Sequence, residues 1–261
     1  MTALSIVARS LLFNLLFYLT TALFVVLGSP LLFAPRRWAM AALAVHAKFE
    51  LFLLARIAGI KVEVRGTERL PSGPCLVASK HQSAWETFAL IPLFRDPALL
   101  MKRELFLIPF HGWFSRKFEM IPVDRDKGPA ALRRMLREAK QRVEGGREII
   151  IFPEGTRRVP GAPPDYKTGV ALLYDALGVP CVPVALNSGL FWPRRSLMRL
   201  PGTIVVEILD PIPSGLPRAE FLGILERTIE AAARRLLDEG SAGTKPGNSA
   251  LGERQAGGTQ H

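Results

Sequence analysis

The stretch CLVASKHQSAWETF, residues 75–88, joins a continuously apolar run to a polar loop and the start of a helix. A short, unbroken apolar run is typical of a strand that is buried on both faces of a sheet. The segment Ser-Ala-Trp-Glu, residues 83–86, is a sequence signature of a helix N-terminus. The stretch therefore predicts a buried strand followed by a helix, the unit from which α/β folds are built.

Strand and helix patterns alternate in the same way from Lys61 onward. The alternation predicts a single α/β domain over residues 61–239, with a mostly buried central sheet flanked by helices. The tail over residues 240–261 is rich in Gly, Ser, Thr, Asn and Gln, and we expect it to be disordered. The predicted strands are 61–66, 75–80, 98–102, 148–153, 181–187 and 203–209, and the predicted helices are 129–144, 168–177 and 218–237.

The first sixty residues have a different character. No charged side chain occurs between Ser10 and Pro35, and residues 11–27 are mostly Leu, Phe and Val before a Gly-Ser-Pro break. Such a run is at the short limit for crossing the hydrocarbon core of a bilayer. Residues 38–60 are also apolar but carry scattered charges, which suits a helix at the membrane interface. Residues 1–60 therefore predict a hydrophobic two-helix membrane element, either spanning or re-entrant.

The charges around this element predict its orientation. Arg36 and Arg37 follow the apolar run, whereas only Arg9 precedes it. Because basic residues favour the cytoplasmic side, the remainder of the chain is expected on the cytoplasmic face of the inner membrane. A secretory signal peptide is the alternative, but the apolar run is long for one and no clear small-residue cleavage site follows it.

Composition narrows the class of partner. The chain has 34 Lys and Arg against 23 Asp and Glu, a formal charge of +11, which favours anionic membranes, phosphorylated molecules or nucleic acid. Basic and aromatic residues are not interleaved, so nucleic acid is not expected. Cys75 and Cys181 lie in strand-like segments and are predicted to be buried free thiols. The four histidines lack metal-ligand spacing, and no metal is expected.

The polar loop after residue 80 allows two interpretations. Ser83 and Glu86 have the spacing of a capping box, in which the acid accepts a hydrogen bond from a backbone N–H at the helix start. Side chains tilt toward a helix N-terminus, so the Glu86 carboxylate could equally reach His81 and orient its ring as a general base. The sequence leaves the structural and the catalytic interpretation open.

Two further polar clusters each close an apolar segment. FPEGTRR, residues 152–158, follows a predicted strand and could present backbone N–H groups and a guanidinium to a phosphate. IPVDRDKG, residues 121–128, places Arg125 in a similar position. The alternative for each is an ordinary turn with solvated charges. Since polar side chains at the ends of neighbouring strands meet at one sheet edge, the three clusters together predict one site.

These residues resemble the motifs of the glycerolipid acyltransferases, in particular the 1-acyl-glycerol-3-phosphate acyltransferases. That family carries a His followed, after four residues, by an acid, as here from His81 to Glu86. The other segments that resemble family motifs are MIPVDR (120–125), FPEGTR (152–157) and CVPVALN (181–187), with similar stretches at 101–113 and 166–169. The resemblance covers residues 62–210, with four motifs in the family's order.

The resemblance implies transfer of a fatty acyl group from acyl-CoA or acyl-carrier protein to a lysophospholipid hydroxyl, giving phosphatidic acid in phospholipid synthesis. The acyl donor is a substrate, and no separate cofactor is implied. By this resemblance His81 deprotonates the hydroxyl and Glu86 holds the ring. The residues implied in substrate binding are Glu154, Gly155 and Thr156 near the glycerol, with Arg157, Arg125, Lys102 and Lys167 near the phosphate.

Three positions depart from the family pattern. Glu86 stands where Asp is commoner, Lys80 replaces the usual Asn, and Glu119 stands where Gly is frequent. Glycerol-3-phosphate and a lyso-ornithine lipid are alternative acceptors. Two other classes also remain: a membrane thioesterase or lipid hydrolase that uses the same His–Glu pair on water, and a non-catalytic protein that binds membrane surfaces.

Overall fold

A computed structural model describes residues 2–124 and 128–242 and is built around a seven-stranded sheet. The strand order across the sheet is β1-β7-β6-β2-β5-β3-β4. Six of the strands coincide with predicted ones, and the seventh, β4, is a three-residue strand that the apolar pattern alone did not predict. The strands are β1 (Ile60–Arg65), β2 (Leu76–Ser79), β3 (Ala98–Lys102), β4 (Ile121–Val123), β5 (Ile149–Ile151), β6 (Cys181–Leu186) and β7 (Gly202–Ile208).

Strand direction brings several loops to one edge of the sheet. Strands β6, β2, β5, β3 and β4 run parallel to one another, so that their carboxyl ends lie on the same side. Strand β7 pairs antiparallel with β6, and β1 pairs parallel with β7 at the other end of the sheet. The carboxyl edge of the five parallel strands is therefore where side chains distant in sequence meet, as the sequence predicted.

Helices cover both faces of the sheet. Strand β2 shows the two faces, because Val77 belongs to one apolar cluster while Leu76 and Ala78 belong to another. Helices α1, α2, α3 and α4 pack on the first face, and α5, α6 and α8 on the second. The helices are α1 (Ala3–Leu27), α2 (Arg36–Leu53), α3 (Glu86–Ala89), α4 (His111–Lys117), α5 (Gly128–Glu144), α6 (Gly169–Leu177), α7 (Ser188–Phe191) and α8 (Arg218–Ala242).

The two N-terminal helices are long and apolar enough to cross a membrane by length and composition. They also contribute to the core, since Phe13 of α1 and Leu54, just after α2, are fully buried against the sheet. A short 3₁₀ turn, Ser29–Leu32, joins them at the predicted Gly-Ser-Pro break. The predicted fold class, an α/β domain preceded by two apolar helices, is confirmed.

The C-terminal helix is longer than predicted. Helix α8 ends at Ala242 rather than near residue 237, and Phe221, Leu225 and Ile229 on one side of it are fully buried. The tail predicted to be disordered, residues 240–261, lies outside the described residues from position 243 onward.

Glu119 has a backbone conformation that favours glycine. Its φ of 56° is in the left-handed region, which glycine adopts without strain, and Gly is frequent at this position in the family that the sequence resembles. Its carboxylate lies 3.3 Å from the buried guanidinium of Arg147. This ion pair offsets part of the conformational cost.

Replacing Glu119 with glycine and, separately, with alanine isolates this backbone cost, because both variants lose the carboxylate. We expect the glycine variant to be more stable than the alanine variant by about 1 kcal/mol, as only glycine adopts the left-handed conformation without strain. Urea unfolding in detergent measures the difference. An alanine variant as stable as the glycine variant would show that position 119 carries no strain.

Candidate active site

His81 lies at the carboxyl end of β2, in the loop that leads to α3. Its backbone carbonyl accepts a hydrogen bond from the N–H of Arg158 at 2.8 Å, and its own N–H donates to the Glu154 carboxylate at 3.2 Å. The imidazole stacks on the ring of Phe152, with centroids 4.0 Å apart and planes 16° from parallel. These contacts all come from the segment after β5, so the two neighbouring strand ends together fix the ring.

The Glu86 carboxylate is fully buried and lies beside the His81 ring. Its Oε2 atom is 3.2 Å from His81 Nδ1 and accepts a hydrogen bond from the Ser83 N–H at 3.0 Å. Its Oε1 atom accepts a hydrogen bond from the Ser188 hydroxyl. The Glu86 carboxylate therefore makes both contacts that the Ser–Glu spacing allows: it receives the Ser83 N–H just before α3, and it contacts the imidazole.

This geometry leaves one nitrogen of the imidazole available for chemistry. An Nδ1–H that donates to the carboxylate fixes the tautomer whose Nε2 has an unshared electron pair. No side chain in the described ranges 2–124 and 128–242 forms a hydrogen bond with His81 Nε2. The residue also borders a large cavity. An oriented imidazole of this kind can act as a general base.

Glu154, which the resemblance placed near the glycerol, has no exposure to solvent. Its carboxylate accepts hydrogen bonds from Lys80 Nζ at 2.8 Å and from the His81 backbone N–H at 3.2 Å. Burial raises the pKa of the Glu154 carboxyl, and the neighbouring ammonium of Lys80 opposes that rise. Glu154 therefore lies beneath the loop that carries His81 and supports it, while Gly155 and Thr156, which follow it, border the cavity.

The basic residues predicted for the phosphate lie around the same cavity. Arg157, Lys102 and Lys167 all border it. Lys167 forms an ion pair with Asp165 at 2.7 Å, whereas the side chains of Arg157 and Lys102 make no ion pair with any residue that the structure describes. Arg125 lies outside the described residues. The side chains that have no ion pair here are the ones that could bind a phosphate without first breaking an internal contact.

The cavity has a volume of about 1530 Å³ and extends from His81 to the N-terminal helices. This exceeds the roughly 300–1,000 Å³ that is usual for small-molecule sites. Its walls are mainly apolar and include side chains from α1, α2 and α4, among them Phe17, Phe24 and Phe114. The cavity therefore combines an imidazole and cations with mainly apolar walls.

Some residues of the site were not among the sequence predictions. Ser188 follows β6 closely, and the rule that polar side chains gather at strand ends could have found it. Phe152, beneath the imidazole, lies within a recognised motif, but an aromatic residue in a sequence does not by itself indicate a catalytic site. Glu230 contacts Lys80 from α8, and nothing in its local sequence distinguishes it from other acidic residues on that helix.

The fold and the site together define a class: an α/β protein with an oriented imidazole at the carboxyl edge of parallel strands and a large apolar cavity beside it. Residues 61–187 match the family model described as Acyltransferase, which ends just beyond β6. The match covers just under half of the chain, and it shows that residues 61–187 are similar to the acyltransferase family. The resemblance seen in the sequence motifs is thereby confirmed.

The proteins that are similar to the chain include two curated relatives and one solved structure. A 1-acyl-sn-glycerol-3-phosphate acyltransferase of Pseudomonas aeruginosa is 38% identical over 161 residues, which are 62% of this chain and 63% of that protein. The 1-acyl-sn-glycerol-3-phosphate acyltransferase beta of Homo sapiens is 28% identical over 183 residues, 69% of this chain and 66% of that protein. The chain thus spans just under two thirds of each relative.

The solved structure is the 1-acyl-sn-glycerophosphate (LPA) acyltransferase PlsC from Thermotoga maritima. It superposes with a TM-score of 0.73 at 23% sequence identity and covers 88% of this chain and 97% of that one. The likeness extends beyond the residues matched by the family model, which begin at residue 61. It supports the fold of the chain as a whole.

Proposed function

We propose that the protein transfers a fatty acyl group from a thioester donor to the free hydroxyl of 1-acyl-glycerol-3-phosphate, giving phosphatidic acid for phospholipid synthesis. One observation carries the proposal: the imidazole of His81, held by the buried carboxylate of Glu86, borders the same mainly apolar cavity as the guanidinium of Arg157. A lysophospholipid has the matching parts, which are a hydroxyl, a phosphate and a long apolar chain. Relatives named for this reaction support the choice of acceptor.

In the proposed reaction, His81 Nε2 removes the hydroxyl proton as the acceptor oxygen attacks the thioester carbonyl carbon. A C–O bond forms, the C–S bond breaks, and the departing sulfur takes the proton back from the imidazolium. Glu86 stabilises the imidazolium in between, since its carboxylate is 3.2 Å from Nδ1. Acyl-CoA and acyl-carrier protein both present a thioester, so this chemistry serves either donor.

The acceptor phosphate is bound, in this proposal, by the cationic side chains that border the cavity. Arg157 follows β5 within the turn that also bonds the His81 backbone, so the guanidinium and the imidazole are held by the same segment. A guanidinium can bind a phosphate through two parallel hydrogen bonds, which also orients the ligand. Lys102 and Lys167 at the same cavity add positive charge. Arg125 remains a prediction from the sequence.

We also propose that helices α1 and α2 hold the protein on a membrane. Their outward side chains form a broad apolar surface that a soluble protein would not expose. A bilayer there would deliver the lipid acceptor to the cavity, whose walls these helices help to form. The exposed apolar residues on the two helices include Leu11, Leu15, Tyr18, Leu19, Leu23, Val26, Leu27, Trp38, Val45, Phe49 and Phe52.

Contacts along α1 favour a re-entrant arrangement over a crossing. In its first half, Asn14 donates a hydrogen bond to the carbonyl of Leu197 at 2.7 Å, and near its end Phe24 packs against Phe114 with centroids 6.0 Å apart. A helix of 25 residues is about 37 Å long, longer than the roughly 30 Å hydrocarbon core. The α/β domain therefore accompanies the helix along much of its length and could not stay on one side of a bilayer that the helix crossed.

Orientation toward the cytoplasm stays a prediction from the sequence. That prediction counts Arg36 among the basic residues that follow the apolar run. In the fold, however, Arg36 forms a two-pronged ion pair with Asp96 at 2.7 and 2.5 Å. The Arg36 charge is thus largely matched within the protein.

Replacing His81 with alanine is expected to lower kcat at least a hundredfold, the low end of what a general base contributes. Replacing Arg157 with alanine is expected to raise KM for the acceptor at least tenfold, because a charged hydrogen bond to phosphate is lost. Purified protein in lipid with labelled acyl-CoA or acyl-carrier protein and lysophosphatidic acid gives both values. Arg158→Ala is a matched control, since Arg158 does not border the cavity and pairs with Asp165.

The acceptor panel separates the competing functions. Labelled phosphatidic acid formed only when lysophosphatidic acid is present supports the proposal. Release of free fatty acid at the same rate without any acceptor would instead identify a thioesterase. Faster labelling of glycerol-3-phosphate or of a lyso-ornithine lipid would identify a different acceptor, and full activity of His81→Ala would exclude the proposed base.

The membrane arrangement is tested at the turn between α1 and α2. Phe33 is 93% exposed there, so a Phe33→Cys variant reconstituted in vesicles reports on the side that the turn reaches. We expect a membrane-impermeant maleimide to leave the introduced thiol unmodified when the reagent is confined to the side opposite the catalytic domain. The control, Ser72→Cys in an exposed loop of that domain, is modified only from the domain's own side. Modification of the Phe33→Cys variant from the opposite side would show that the helices cross.

A further inference from the structure

A buried group of charges lies behind the catalytic loop and connects it to the C-terminal helix. Lys80 Nζ donates hydrogen bonds to Glu154 Oε1 at 2.8 Å and to Glu230 Oε1 of α8 at 2.5 Å. The Tyr166 hydroxyl donates to the same oxygen of Glu230 at 3.0 Å. The Lys80 side chain is 3% exposed and that of Glu230 is 16% exposed, so these contacts form in a largely water-free environment.

The side chains of this buried cluster depend on one another for electrostatic stabilisation. One ammonium lies between two carboxylates, and a charge in such surroundings is stable only when it is paired. The pKa of the Tyr166 hydroxyl is raised by burial and by the nearby carboxylates of Glu230 and Glu154. The hydroxyl therefore stays protonated and remains a donor to Glu230. In the hydrogen bonds among these four side chains, Tyr166 and Lys80 are thus the donors and the carboxylates are the acceptors.

The cluster ends at the backbone of the proposed base. Glu154 uses one oxygen for Lys80 and the other for the N–H of His81. Lys80 is also the residue immediately before His81, and its own backbone N–H donates to the Val184 carbonyl at 2.9 Å. Position and direction of the backbone at His81 are therefore set by a continuous series of contacts from Glu230 through Lys80 and Glu154.

We propose that Glu230 of helix α8 is a positioning residue, which aligns the His81 ring with the acceptor hydroxyl through Lys80 and Glu154. Lys80 stands where the family that the sequence resembles has Asn. The contact between Lys80 and Glu230 of α8 therefore involves a residue that departs from the family pattern. A change of about 1 Å in such alignment can alter a rate by up to about a hundredfold. The kinetic part of this inference rests on the proposed function, and the part about backbone order does not.

The kinetic experiment replaces Glu230 with alanine and with glutamine in the full chain in lipid. We expect Glu230→Ala to lower kcat about tenfold with KM for the acceptor unchanged, because Glu230 does not border the cavity. Glu230→Gln, which keeps an oxygen acceptor, should recover most of the loss. The matched control is Glu239→Ala on the same helix, where Glu239 pairs only with Arg65 and Arg235 at the surface among the described residues.

A double substitution tests whether Glu230 acts on His81 through Lys80. Lys80→Asn alone leaves two buried carboxylates without their ammonium, and we expect a larger loss of kcat than for Glu230→Ala. Adding Glu230→Gln removes one of the stranded charges and should restore part of that loss. Losses that simply multiply would show that Lys80 and Glu230 act independently, and would overturn the inference.

Hydrogen exchange tests the same inference without any turnover. In Glu230→Ala, amide hydrogens in the peptide covering residues 79–88 should exchange at least tenfold faster, while those of β1 and β7 keep their wild-type rates. Unchanged protection of residues 79–88 would overturn the inference whatever the activity. A wild-type enzyme that acylates no acceptor would refute the proposed function instead, and faster exchange in the variant would still support the positioning role of Glu230.

Discussion

The site is organised by the burial of one carboxylate. Glu86 is fully shielded from water, so each of its oxygens needs donors from the protein. Those donors come from two segments that are distant in the sequence: Ser83 and His81 from the loop after β2, and Ser188 from the segment after β6. Satisfying this carboxylate therefore brings two strand ends together and at the same time fixes the imidazole.

The order and direction of the strands in the sheet allow these hydrogen bonds to the Glu86 carboxylate to form. Because β6, β2 and β5 are parallel neighbours, the residues that follow them arrive at one edge without long loops. The N-terminal helices then close the space above that edge, with Phe17 and Phe24 forming part of the cavity wall. The same two helices expose apolar side chains on their outer side. The oriented imidazole, the large cavity and the exposed apolar surface are thus built from adjoining parts of one fold.

The sequence predicted the parts of the molecule that are encoded locally. His81 and Glu86 are five residues apart, and their contact follows from the start of a single helix turn. Six of the seven strands have apolar runs long enough to recognise, whereas β4 has three residues and includes Pro122, which weakens any strand pattern.

Contacts between distant segments were beyond the reach of the sequence patterns. Ser188 is 102 residues from Glu86, and Glu230 is 150 residues from Lys80. Neither pair has a spacing that a helix or strand imposes, so only the folded topology brings them together. Glu154 shows the same limit: its motif was recognised, but its position beneath His81 depends on how β5 lies beside β2.

A crystal structure with lysophosphatidic acid and a non-reactive thioether analogue of acyl-CoA would locate the acceptor relative to His81 and Arg157. We expect the acceptor hydroxyl oxygen to lie about 3 Å from His81 Nε2, with the phosphate bound by Arg157. A hydroxyl that points away from the imidazole, with the phosphate bound elsewhere, would contradict it.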